Sequence, residues 1–398
     1  MCRKDRRGAG MNKKIVAAAV CVVLLCVCLL FCNKPEKEAD TIKIGYLGSL
    51  TGDFAIYGTT EANAVQLVID EVNAQGGLFG KKLVLVVGDT KSKCEDAVNA
   101  VRRMILADKV CAFIGTDTSG TSLAVAPIAD REKVPHISTL GTNPYVTVHE
   151  HGAVRPYAFR ICFTDPYQGK IAAEFAYGDL KARKAALLYN VGSDYAHGFR
   201  EYFVKSFTGK GGKIVADEGY RDTDVDFRAQ LTKIKYSGAD VLLLPGMGKD
   251  MALIIKQARE LQLKVNFIGG DGYAEFMSEI AGDALKGSYW INHTYQEAPE
   301  MAPVFAKYRK VYHDEGKEFT DITMAYDAAK WLVDAIKRAG STDGEAVAKA
   351  LEETTKLKLT HCTISVDPAT HNLINKPAVI LKVGSDLKGR YYKTVSPE

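Results

Sequence analysis

Two hydrophobic rhythms alternate along the chain from residue 40 onward. Short apolar runs ended by glycine-rich or hydroxyl-rich turns give way to stretches in which apolar positions recur every three or four residues. The first rhythm suits strands covered on both faces, and the second suits helices with one buried stripe. Residues 42–47 predict a strand that runs into a polar loop, 48–58. Residues 61–73 predict a helix with Ala64, Val65, Leu67, Val68 and Val72 on one face and Gly76-Gly77 as its stop. The stretches 83–87, 95–108, 111–115, 122–130 and 134–137 continue as strand, helix, strand, helix and strand.

The series then begins again. Helices are predicted at 167–180, 195–208, 227–236 and 251–261, interleaved with strands at 185–189, 213–217, 241–244 and 265–268, and a short strand follows at 288–292. Helices at 302–313, 322–339 and 345–354 precede a β-rich tail, 363–395. Such alternation argues for parallel sheets covered by helices. The second half repeats the architecture of the first without its sequence, so the expected fold is α/β with two Rossmann-like lobes. Open sheets of this kind bind ligands in loops at the carboxyl ends of their strands.

Two of those loops draw attention. Thr116-Asp-Thr-Ser-Gly-Thr121 and Ser138-Thr-Leu-Gly-Thr-Asn143 follow neighbouring strands and reach the same end of the sheet. They place the hydroxyls of Ser119 and Thr142 beside backbone amides at a helix N-terminus, where a small carboxylate fits. The same residues also read as ordinary connections, with Ser119 and Ser122 as helix caps. Asp271 stands among Gly269, Gly270 and Gly272 directly after an apolar strand, either as a turn aspartate bonding its own backbone or as a carboxylate facing a ligand.

Catalytic and cofactor motifs are missing. There is no Gly-x-Ser-x-Gly, no Walker loop and no His-Glu-x-x-His, and neither glycine cluster forms a dinucleotide fingerprint. His149-Glu-His151 reads as an exposed loop rather than a metal site. The net charge of +4 comes from the first fourteen residues, where six Lys and Arg side chains oppose Asp5 and leave −1 for the remainder. With no basic stripe, nucleic acid is not an expected partner.

The basic start, the uncharged run 15–31 and the charged stretch 33–38 form a signal-peptide pattern. Met11 can serve as initiator as well as Met1. Leu29-Leu30-Phe31-Cys32 resembles a lipoprotein box with Cys32 as the lipidated residue, although Phe31 stands where a small residue is usual. An uncleaved anchor is the alternative. Cys94 and Cys111 flank a helix of about twelve residues, which holds them ~18 Å apart, too far to bridge. Cys162 and Cys362 fall at expected crossovers between lobes, and a bridge between them is left open.

The ordered set Ile44-Gly-Tyr-Leu-Gly-Ser-Leu-Thr-Gly52, Tyr57-Gly58, Ile69-Asp-Glu-Val-Asn-Ala-Gln-Gly-Gly77, Ile114-Gly115, Ile137-Ser138, Ala325-Tyr-Asp-Ala328 and Ala335-Ile-Lys-Arg-Ala-Gly340 resembles the substrate-binding proteins of branched-chain amino-acid ABC transporters, the leucine-isoleucine-valine-binding family with the type I periplasmic binding protein fold. The resemblance covers residues 41–395. It implies two lobes joined by a three-segment hinge. A leader (1–32) and a tether (33–40) would precede lobe 1 (41–162 plus 292–361) and lobe 2 (163–291 plus 362–398).

By the same resemblance, Ser119 and Thr142 clamp the ligand carboxylate with help from the Leu140 backbone, and Asp271 meets the ammonium. Tyr57 and Tyr195 form aromatic walls, and Met247 stands where relatives carry an aromatic. Asp271 replaces a longer glutamate of some relatives, and Cys94 and Cys111 do not match the placing of the family's disulfide. The implied function is extracytoplasmic capture of a small amino acid, Leu, Ile or Val, for delivery to a permease and its ATPase, with no cofactor, no metal and no catalysis. The membrane link would be an N-terminal lipid or anchor. A sensor or receptor subunit for an amide or aromatic compound on the same fold is the alternative.

Overall fold

The computed structural model describes residues 41–397. The expected leader, the tether and Cys32 lie outside them. The first sheet takes β1 (Ile42–Gly48), β2 (Leu83–Asp89), β3 (Ala112–Ile114), β4 (His136–Ser138) and β5 (Ala158–Arg160) in the order β2-β1-β3-β4-β5, every pair parallel. Between these strands run α1 (Ala55–Ala74), α2 (Cys94–Arg103) and α3 (Ser119–Glu132).

The chain then crosses to α4 (Asp165–Glu174), β6 (Lys184–Asn190), α5 (Asp194–Gly209), β7 (Lys213–Tyr220), α6 (Arg228–Ser237), β8 (Val241–Leu244), α7 (Gly248–Glu260), β9 (Asn266–Gly269), α8 (Met277–Ala281) and β10 (Tyr289–Asn292). Their parallel order, β7-β6-β8-β9-β10, repeats that of the first sheet. Each sheet therefore has its own switch point, where two neighbouring strands send their helices to opposite faces and leave a crevice. Helices α9 (Ala302–Tyr312), α10 (Phe319–Ala339) and α11 (Gly344–Glu352) return to the first sheet, where α10 packs along α1. The hairpin β11 (Leu357–Lys358) and β12 (Thr363–Ile364) follows, and β13 (Ala378–Val383) with β14 (Gly389–Val395) extends the second sheet antiparallel to β10.

The continuous apolar runs are explained by burial on both faces. In the second sheet Ala185, Leu187, Val241, Leu243 and Ile268 pack against Phe199, Phe203 and Phe207 of α5. The alternate residues Ala186, Leu188, Leu242, Leu244 and Phe267 meet Leu231, Ile234, Met251 and Ile255 on the other side. Successive strand side chains point to opposite faces, so a two-sided strand cannot spare a polar position. Helix α1 starts at Ala55, earlier than its periodicity suggests, and its first turn lies on the β1 exit loop. A Cβ on Gly58 would stand 2.2 Å from the Ser49 carbonyl oxygen, so only glycine allows this approach.

Three strands of chain connect the lobes, and aromatic and imidazole groups tie them together. Phe163 of the first crossing stacks on His293 of the second at 3.7 Å between ring centroids. His361 of the third bonds the His293 carbonyl through Nε2 at 3.0 Å. His371 stacks on Phe159 and bonds the Ala158 carbonyl, and Asn372 bonds Thr147, so this stretch stays against the first sheet before the chain reaches β13. Cys94, Cys111, Cys162 and Cys362 are all free thiols, with no Cys162–Cys362 bridge. Among the described residues no helix is long and apolar enough to cross a membrane.

Candidate functional site

A cavity of about 380 Å³ lies between the lobes at the carboxyl ends of both sheets. From the first lobe it is lined by the loop after β1, the start of α1, the loop after β3 with the start of α3, and Leu140. The loops after β6, β8 and β9 close it from the second lobe. Its volume suits a small metabolite.

At the start of α3, Thr118 accepts a hydrogen bond from Thr121 N at 3.4 Å and caps the helix, so the cap is neither Ser119 nor Ser122. The Ser122 hydroxyl instead bonds those of Thr116 and Ser138, each at 2.8 Å, inside the lobe. Ser119 and Gly120 line the cavity. Their amides stand in the first helical turn, where no intrahelical carbonyl reaches them. The Ser119 hydroxyl accepts from Asn143 N at 3.2 Å and so fastens this turn to the neighbouring one. That second turn is held from below by Arg160, whose guanidinium is fully buried. It donates to the carbonyls of Gly141 (2.7 Å), Asn143 (2.8 Å) and Pro144 (3.1 Å) and to the Thr147 hydroxyl (3.2 Å).

Of the seven expected ligand residues, Tyr57, Ser119, Leu140, Tyr195, Met247 and Asp271 line this one cavity, and Thr142 does not. Thr142 is fully buried, and its hydroxyl lies beside the Asp165 carboxyl. Burial raises the Asp165 pKa well above the usual carboxylate range, against the opposing effect of that hydroxyl.

Asp271 does not turn back on its own backbone. Its Oδ1 accepts from Gln168 Nε2 at 2.8 Å and its Oδ2 meets His293 Nε2 at 3.1 Å, with the Tyr195 hydroxyl alongside. Burial pushes the His293 imidazole down to about 4, so at neutral pH it is uncharged and donates from Nε2 to the carboxylate. Two neutral donors thus orient the Asp271 side chain. Tyr57 spans the cleft: its hydroxyl accepts from Gly248 N at 3.2 Å and lies 3.5 Å from the Gly272 carbonyl. Phe276 packs 6.3 Å from the Tyr57 ring and completes an apolar wall with Leu140 and Met247.

Gln168, His293, Phe276, Asp117 and Asp321 belong to this site without a mark in the local sequence. His293 follows an apolar strand like any connecting residue. Asp321 sits in the first turn of α10, where an acidic residue ordinarily complements the helix dipole. No group of three or more His, Cys, Asp and Glu among the described residues is arranged to hold a metal ion.

Two lobes of equal strand order, three crossings and a cavity bridged by a tyrosine define a hinged binding protein. Residues 41–388 match the family described as "Periplasmic binding protein", and the chain belongs to that family. It is 31% identical over 320 residues to Leu/Ile/Val-binding protein homolog 1 of Brucella abortus, covering 80% of this chain and 84% of the relative. The crystal structure of leucine-binding protein LivK from Thermotoga maritima superposes with a TM-score of 0.83 at 31% identity, covering 90% of this chain and 99% of that one. LivJ of Streptococcus pneumoniae in complex with isoleucine gives 0.82 at 31% identity, covering 90% and 100%. All three relatives are named as binding proteins rather than enzymes, and LivJ as the substrate-binding protein of a branched-chain amino-acid transporter.

Proposed function

We propose that the protein captures an α-amino acid between its lobes outside the cytoplasm and delivers it to the permease of an ABC importer, tethered to the membrane through a lipid on Cys32. The observation that carries this reading is the pairing of two opposite subsites in one cavity. The α3 N-terminus offers amides and the Ser119 hydroxyl to an anion, and Asp271, oriented by Gln168 and His293, offers a carboxylate to a cation. A zwitterion leaving water needs both charges matched, because an unpaired buried charge costs several kcal/mol. The isoleucine bound by LivJ and the Leu/Ile/Val binding named for the relatives support the amino-acid class.

Delivery follows from the hinge. A ligand that touches both lobes favours the closed form in proportion to its extra contacts there, and the permease reads that shape. A thermal-shift panel of amino acids tests the reading. A ligand at ~100 times its dissociation constant stabilises the fold by about 2.7 kcal/mol. Stabilisation by at least one amino acid, with compaction in small-angle scattering, is the expected result, and no response to any amino acid overturns it.

A further inference from the structure

The lobe-1 wall of the cavity holds two carboxyl groups that the amino-acid reading does not use. Asp117, two residues before Ser119, is 3% exposed, and Asp321, at the start of α10, is 2% exposed. Both line the cavity. Asp117 Oδ2 accepts from Ser49 N at 3.2 Å, but Asp117 Oδ1 and Asp321 Oδ1 have no hydrogen-bond partner among the described residues. Behind them lies Glu61, fully buried, which takes the Tyr46 hydroxyl at 3.0 Å and the Thr139 hydroxyl at 2.8 Å on one oxygen and leaves the other unpaired. Asp271 faces Asp321 from the second lobe, and Asp89 adds its charge near Asp117. A wall built for an aliphatic side chain would not carry orphaned acceptors, because a buried polar group without a partner costs about 1–3 kcal/mol.

The charge of the whole cavity points the same way. Seven aspartates and two lysines, Lys93 and Lys249, line it. The apolar surface needed for a side-chain stem is present in Leu140, Tyr57, Phe276 and Met247. A linear stem along that surface with a charged head at its end is how a basic side chain is normally buried.

We propose that the side-chain subsite selects an amino acid ending in a positively charged N–H group, such as ornithine, lysine or arginine, whose head is received by Asp117 and Asp321. The assignment rests on the amino-acid reading above and names its side-chain class. Burial above all, with neighbouring carboxylates adding to it, raises both carboxyls in the empty protein, Asp117 to about 6 and Asp321 well above the usual carboxylate range. Arrival of a cation ionises them, so binding releases protons to the buffer.

Titration calorimetry of the purified protein with lysine, arginine, ornithine, glutamine, leucine, isoleucine and valine, in two buffers of different ionisation enthalpy, tests this. The expected result is tightest binding of a basic amino acid, with heats that differ between buffers by the proton release. Asp117→Asn and Asp321→Asn each weaken that binding by about tenfold to a hundredfold. In both variants the ratio of the affinity for that basic amino acid to the affinity for leucine falls. Leucine, isoleucine or valine bound as tightly as every basic amino acid, or glutamine preferred over all of them, overturns the side-chain assignment and leaves the transport reading standing. No heat with any amino acid removes both. If either variant fails to fold, as judged by circular dichroism, the buffer dependence of the wild-type heats decides alone, and its absence overturns the assignment.

Discussion

The Tyr57 hydroxyl accepts a hydrogen bond from Gly248 N at 3.2 Å, joining the first helix of one lobe to the helix after β8 of the other. It lies at the same time against the Gly272 carbonyl at 3.5 Å. The bridge joins the two lobes, so opening the cleft would break it. Tyr57→Phe keeps the ring against Phe276 and removes the bridge. The expected effect is a loss of about 0.5–1.5 kcal/mol in ligand affinity, roughly two- to twelvefold. The melting temperature of the ligand-free protein changes little. Calorimetry with the best ligand, together with a thermal scan without it, checks both.

Asp117 gives a pH signature that needs no ligand. Burial raises its folded pKa to about 6 from an ordinary 3.8. A group whose folded pKa is raised contributes its stability fully below the unfolded pKa and loses it as pH rises through the folded one. Asp117→Asn does not titrate. The variant is therefore expected to match the wild type below about pH 4 and to exceed it increasingly between pH 4 and 6, with a constant advantage above. Urea midpoints of the two proteins across pH 4–8 show this directly. Comparing variant with wild type cancels the opposite contribution of His136 and His293. Both are pushed down to about 4 by burial, and both lose stability as pH falls from 6.5.

Arg160 holds the turn that carries Leu140 and Thr142 by four hydrogen bonds from a fully buried guanidinium. Arg160→Met fills much of the same space but orphans the Gly141 and Asn143 carbonyls. The expected destabilisation is about 3 kcal/mol or more, since each unsatisfied buried group costs ~1–3 kcal/mol. Denaturant unfolding measures it, with m unchanged.

The alternation of elements was legible because covered strands and one-sided helices write different periods into a chain. Val241 to Leu244 is apolar throughout and lies in a strand buried on both faces. Strand order was not legible, since the neighbours of β1, namely β2 and β3, follow from the path of the crossover helices and not from any residue pair. The same limit applies to the site. Ser119 and Asp271 could be picked out because each stands in a loop at the end of a strand, where backbone approaches a ligand. Asp117 was hidden within a turn whose hydroxyls drew the reading, and Asp321 within a helical turn where acidic residues are common. Only folding brings these two, about two hundred residues apart, to one wall. Thr142 shows the converse: its turn was identified, but Leu140 and not Thr142 faces the cavity.

The central claim is that the cleft closes on an amino acid whose ammonium is met by Asp271. Titration calorimetry of the wild type and Asp271→Ala with the amino acid that most raises the melting temperature, and with its N-acetyl derivative, tests it most directly. The account predicts binding of the free amino acid to the wild type alone, with a loss of about 3–5 kcal/mol in the variant. The acetylated compound, which has no ammonium, should fail on the wild type. Equal affinity of both proteins for the free amino acid would contradict the account.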